Sequence, residues 1–129
     1  MPDYFQVFYS KNNQYCDGLF YALQRILIFK FMIIKFACKY FKKDKLLAAC
    51  DREILGKKLK FGEIDFEIKK SFYFERFAEK EEIIPLLKEA KIINLIGNEI
   101  VNLAAELKLI NKENVKFIDG VAHVQIYKI

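Results

Sequence analysis

The chain contains no tryptophan, a single histidine, two prolines and five glycines among its 129 residues. So little glycine and proline leaves no room for a flexible or proline-rich linker. With no internal repeat or low-complexity tract, the chain reads as one domain and not as an array. Three cysteines, Cys16, Cys38 and Cys50, are odd in number and form no CxxC pair. Neither a zinc site of ordinary ligand spacing nor a secreted disulfide scaffold is therefore expected. Reduced thiols are, with Cys38 and Cys50 as small buried apolar residues. No G-x-G-x-x-G or Walker pattern is present, and Glu79, Glu81 and Glu82 read as a helix start, not a metal cage. No cofactor and no metal are expected. Also missing is an apolar run free of charge: residues 19–34 are broken by Arg25 and Lys30, so neither a membrane span nor a signal peptide is expected.

What is abundant is apolar and aromatic. Hydrophobic residues make up 53% of the chain, with thirteen Phe and seven Tyr, enough for a packed core. Net charge is +5, and it is unevenly placed. Between residues 35 and 60 there are nine basic against three acidic side chains, and from residue 61 onward ten against twelve. The basic excess is thus one contiguous segment. It reads either as a solvated hairpin edge, where lysine is common, or as a contact for a polyanion such as RNA. Residues 1–31 carry three basic and two acidic residues and lack the clean patterning that follows Met32. They are expected to be an N-terminal extension, poorly ordered or a loosely docked helix, upstream of a true start at Met32, with 32–129 forming the domain.

The most informative stretch is 114–129, NVKFIDGVAHVQIYKI. Two alternating runs flank Asp119-Gly120, a pair suited to a two-residue type I′ turn. The register puts Ile118 opposite Val121, Phe117 opposite Ala122, Lys116 opposite His123 and Asn114 opposite Gln125. Period two then sends Val115, Phe117, Ala122, Val124 and Ile126 to a core face, and Asn114, Lys116, His123, Gln125 and Tyr127 to the other. Earlier, 33–40 and 46–50 read as strands joined by a charged turn, and Gly56 ends a corner with positive φ. Residues 57–61 and 63–71 are strand candidates about Gly62. The aromatic stretch 71–77 seals a core, with base stacking as its functional alternative. Residues 79–89 are helical by composition, kinked at Pro85 or beginning near Ile84. Residues 91–96 fit a buried strand or a helix continuation, and 98–107 keep the helical rhythm Ile96, Ile100, Leu103, Ala104, Leu107. The expected class is α+β: a mainly antiparallel sheet built from N- and C-terminal β-hairpins and packed against two helices, about 79–90 and 97–107.

Taken together, Cys50-Asp51 with Glu53 and Leu55-Gly56, Asn94-Leu95-Ile96-Gly97, Glu113-Asn114-Val115 and Gly120-Val121-Ala122-His123-Val124-Gln125 resemble, in that order, the archaeal family labelled domain of unknown function 424. The resemblance covers about 32–129. The family's last motif is usually G-V-P-H-A-Q. Ala122 and Val124 stand here for its Pro and Ala, while His123 and Gln125 are kept. The resemblance implies a cytosolic protein with a link to translation machinery. It implies no reaction, substrate or cofactor.

The candidate site follows from these residues. His123, beside Gln125 and opposite Lys116, can donate and accept hydrogen bonds near neutral pH. Its bland alternative is a ring that ties the hairpin to a neighbouring carbonyl. A small enzyme using His123 with Asp51 or Cys50 is the alternative, if they converge; otherwise Cys50 is a core residue and Asp51 caps the following turn. Asn94 suits a cap for the last helix. The leading expectation is a non-enzymatic accessory factor that binds RNA or a ribosomal particle. Lys42, Lys43, Lys57 and Lys58 would meet phosphates, and His123, Gln125, Tyr127, Lys116 and Asn94 would make specific contacts. A protein adaptor using residues 72–77 is the further alternative.

Overall fold

The computed structural model describes residues 22–25 and 33–129, and the chain divides into two units, Met1–Ile33 and Ile34–Ile129. In the first unit residues 22–25 are helical. The expectation of an extension over 1–31 before a start at Met32 otherwise lies outside the described residues.

The second unit is α+β. Strands β1 (Phe36–Phe41) and β2 (Leu46–Asp51) form the first hairpin, and β3 (Lys58–Phe61) and β4 (Ile64–Glu67) a separate two-stranded ribbon. Next come a one-turn helix α1 (Lys70–Tyr73), strand β5 (Arg76–Ala78), helix α2 (Lys80–Glu89), strand β6 (Ile92–Ile96) and helix α3 (Asn98–Glu106). The closing hairpin is β7 (Lys116–Ile118) and β8 (Val121–Tyr127). The main sheet runs β5-β1-β2-β6-β8-β7. Every pairing is antiparallel except β2 with β6, which inserts the latter between the two hairpins. A parallel pair needs a crossover, and the ribbon, α1, β5 and α2 supply it. This resolves 91–96 as a strand.

Both faces of the sheet are covered. On the first, Leu47, Ala49, Ile93, Leu95, Ala122 and Val124 pack with Ile83 and Leu87 of α2 and Ile100, Leu103 and Ala104 of α3. On the second, Ala37, Ala48, Cys50, Ile96 and Ile118 pack under Leu59, Ile68 and Tyr73. Strand β2 is central, so Leu47, Ala48, Ala49 and Cys50 are all fully buried, which is why it reads as an unbroken apolar run. Each fully buried Leu or Ile contributes about 1.5–3 kcal/mol of burial energy.

The hairpin turn forms as expected. Asp119 and Gly120 have φ of 53° and 78°, and Ile118, Phe117 and Lys116 pair with Val121, Ala122 and His123. Three details differ. Asn114 does not pair with Gln125, because Lys112–Asn114 closes a 3-10 turn and β7 starts only at Lys116. Phe117 is 65% exposed, since β7 is a short edge strand and α3 only borders it. The supposed solvent face of β8 is partly roofed by the ribbon, whose tip residue Ile64 is itself exposed while Ile68 is buried. Helix α2 runs across Pro85 from Lys80, held at its start by the Glu79 N–H donating to the Glu82 carboxylate at 3.0 Å.

Candidate functional site

Three of the stretches singled out in the sequence meet at one end of β2, β6 and β8. Asp51, the last residue of β2, accepts from the backbone N–H groups of Glu99 at 3.0 Å and Ile100 at 2.9 Å. It therefore caps the first turn of α3 from 48 residues away, not the turn that follows it. A carboxylate there also meets the positive end of the helix dipole. Asn98 adds a second tie: its Oδ1 accepts from the Ala122 N–H at 2.8 Å, and its Nδ2 donates to the Gly120 carbonyl at 3.5 Å. The Gly97 N–H donates to the Ala122 carbonyl at 2.8 Å. Burial pushes the Asp51 carboxyl above its usual value, against the downward pull of the two backbone donors. This is a clamp joining helix, strand and turn.

Asn94 is not the cap of α3. It lies within β6 on the second face, where its Oδ1 accepts from the Tyr73 hydroxyl at 2.7 Å. Burial raises the Tyr73 pKa, with the nearby Cys50 a smaller cause.

The residues of the enzyme alternative do not come together. Cys50, Ile96 and His123 occupy one cross-strand row, so Cys50 and His123 are two strand spacings apart, about 10 Å, with fully buried Ile96 between them. Asp51 projects to the opposite face, under α3. The Cys50 thiol is fully buried and its pKa is pushed up to about 12, chiefly by burial and then by Asp51. Among the described residues, no group of three or more His, Cys, Asp or Glu is placed to hold a metal ion.

His123, Gln125, Tyr127 and Lys116 do come together. With Glu113, Asn114 and Val124 they line a cleft of about 380 Å³ beside the outer edge of β8. The cleft exists because β7 pairs only with residues 121–123, so the outer edge of β8 beyond His123 has no strand partner. The His123 ring is half-buried, edge-on to Phe66 with centroids 5.8 Å apart, and no described residue hydrogen-bonds to it. Burial lowers its pKa below the usual 6.5, and the Lys116 charge lowers it further. Near neutral pH the ring is therefore a neutral donor and acceptor. Tyr127 is 67% exposed at the end of the strand.

The basic segment is split. Lys42 and Lys43 sit exposed in the β1–β2 turn, at the Tyr127 end of the sheet: Leu46 pairs with Ile92, and Ile92 with Tyr127. At that end the Lys91 N–H donates to the Lys45 carbonyl at 2.9 Å, and the Lys128 N–H to the Lys91 carbonyl at 2.8 Å. A row of lysines across the ends of β2, β6 and β8 results. Asp44 and Glu89 are the nearby acids in sequence. The Lys128 ammonium turns back to donate to the Leu87 and Lys88 carbonyls at the end of α2, at 2.7 and 3.0 Å. Lys57 and Lys58 lie elsewhere, at the base of the ribbon, where Lys58 is opposite Glu67 and Lys60 bonds Asp65 at 2.6 Å. The lysine row could not be read from the chain, because its members are distant in sequence and only the parallel β2–β6 pairing aligns them.

Among the described residues no helix is long and apolar enough to cross a membrane. The fold is similar to a crystal structure of an uncharacterized conserved protein from Methanopyrus kandleri, with 23% identity and a TM-score of 0.63 over 74% of this chain and 92% of that one. No curated protein matches the chain. The model of the family described as protein of unknown function (DUF424) matches residues 40–129, which spans all but the first part of β1 and the segment before it, and the chain belongs to that family.

Proposed function

We propose that this domain is a non-enzymatic accessory module that binds single-stranded RNA, free or on a ribonucleoprotein, along the sheet end that carries Tyr127. The observation behind this reading is the shared position of an exposed aromatic ring, a cleft of polar side chains and a row of lysines. Tyr127 offers a stacking surface that any base can use. Gln125, Asn114 and His123 supply the mixed donors and acceptors that read a splayed base. Lys42, Lys43, Lys45 and Lys91, all exposed, suit the phosphates of the neighbouring nucleotides. Lys57 and Lys58 have no part in this track, since they lie at the base of the ribbon, away from the row.

The test is fluorescence anisotropy with a short labelled single-stranded RNA, repeated over a salt series. Three or four phosphate contacts give a log–log salt slope of about −2 to −3. Tyr127→Ala weakens binding about tenfold or more through lost stacking, and Lys45→Ala with Lys91→Ala flattens the slope. Absence of binding at low salt, or binding indifferent to all three substitutions, sinks the reading.

A further inference from the structure

The cleft beside β8 holds one side chain that phosphate binding does not explain. Glu113 stands among Asn114, Lys116, His123, Gln125 and Tyr127. A carboxylate in a site for a polyanion costs affinity by repulsion unless it accepts hydrogen bonds from the ligand. Phosphates carry no donor, and of the donors that remain on a strand only the base N–H groups tell one nucleotide from another.

The four bases differ in what they offer a carboxylate. Guanine presents two adjacent N–H donors, N1–H and the N2 amino group, spaced for both oxygens of one carboxylate in the way a guanidinium fork is. Adenine sets a bare N1 lone pair beside its single amino group. Cytosine likewise sets N3 beside its amino group. Uracil flanks its one N–H with two carbonyl oxygens. Three of the four therefore bring a lone pair against the carboxylate, and one does not. Guanine O6 then needs a donor, which the amide of Gln125 or Asn114 supplies. A volume of about 380 Å³ is enough for one purine nucleotide.

We infer that the cleft lined by Glu113, Gln125 and Tyr127 is a guanine pocket. Tyr127 stacks on the purine, the Glu113 carboxylate accepts from N1–H and N2–H, and Lys116 meets the adjoining phosphate. The inference rests on the RNA-binding reading and adds its base preference. A guanine mononucleotide carries the same chemistry as a guanine in a strand, so both are assayed.

The experiment compares labelled oligouridine with the same strand carrying one central guanine, adenine or inosine, at one salt concentration. The guanine strand binds about tenfold or more tighter than the adenine strand. Inosine, which lacks the N2 amino group, falls between them. Glu113→Gln removes most of the preference for the guanine strand over the adenine strand. Guanosine monophosphate displacing the strand where adenosine monophosphate does not supports the pocket and shows it accepts the free nucleotide. Guanosine monophosphate failing while the guanine preference persists supports a pocket that needs the strand. Equal binding of all four strands, dependent on Tyr127, overturns the guanine inference and leaves RNA binding standing. No binding to any strand overturns both.

Discussion

The carboxyl of Asp51 occupies the space into which a side chain on Gly97 would grow. A Cβ on Gly97 would lie 2.4 Å from Asp51 Cγ and 2.6 and 2.7 Å from its two oxygens. Gly97 also has a φ of 128°, a conformation L side chains rarely adopt. The strand end, the glycine and the first turn of α3 are thus one packed unit. Gly97→Ala should cost roughly 3 kcal/mol or more, as strain and clash together. Asp51→Ala alone should cost about 1–2 kcal/mol through the lost cap. Chemical denaturation of both single variants and the double variant checks this. The double variant should lose less than the two singles combined, since the clash is gone. Strict additivity would show that the two residues do not share this space.

Tyr73 supplies the second prediction. Its hydroxyl donates to Asn94 at 2.7 Å beneath the ring pair it makes with Phe72. Tyr73→Phe keeps the ring and leaves the Asn94 oxygen without its donor in a partly buried place. A loss of about 1–2 kcal/mol in the urea midpoint analysis is expected. Tyr73→Phe with Asn94→Leu should recover part of it, because no polar group is then left unpaired. No recovery would mean that Asn94 serves something other than this bond.

Short-range chemistry was legible in the chain, and long-range pairing was not. Asp119-Gly120 dictates a turn, and the turn dictates the register down to Lys116 opposite His123. The rhythm of Ile100, Leu103 and Ala104 does the same for α3. His123, Gln125, Tyr127, Lys116 and Asn114 could be placed together because they belong to one hairpin and the turn that leads into it. Asp51 could not be placed, because its partners are 48 and 49 residues away. The ribbon misled in another way. Counting charge up to Lys60 stopped just short of Glu63, Asp65 and Glu67, which fold back along the same ribbon, so the ribbon end of the basic segment, Lys57, Lys58 and Lys60, stands beside as many acids. Ile64, Phe66 and Ile68 alternate as a half-buried strand should, but the ribbon overhangs the sheet, and only its base is covered.

The buried thiols give the third prediction. Cys38 and Cys50 are 1% and 0% exposed, and burial raises both pKa values, that of Cys50 to about 12. At neutral pH neither provides thiolate. Alkylation of the native protein with iodoacetamide, read by peptide mass spectrometry, should leave both unmodified, and unfolding in urea should expose both. Rapid native labelling of Cys50 would revive a nucleophilic role for it.

The last prediction concerns the single imidazole, whose NMR signal is unambiguous because the chain has no other histidine. Burial and then Lys116 lower the His123 pKa in the fold below 6.5. The consequence for stability has a definite sign. Well above 6.5 the ring is neutral folded and unfolded, and it contributes no pH dependence. As pH falls through 6.5 the unfolded chain takes up the proton first, so unfolding is favoured. The loss levels off below the folded pKa, where both states are charged. Asp51 acts in the opposite sense: its raised pKa makes the fold bind a proton before the unfolded chain does, so acidification from above favours folding through that group. The comparison of wild type with His123→Gln therefore isolates the ring, since Asp51 is present in both. Between about pH 7.5 and 5.5 the urea midpoint of the wild type should fall relative to that of His123→Gln. Lys116→Gln should move the imidazole titration midpoint back toward 6.5 without reaching it, because burial is the larger cause. A midpoint at or above 6.5 in the wild type would mean that the ring pairs with an acid or lies open to water, and the cleft would then hold a cation where this structure places a neutral ring.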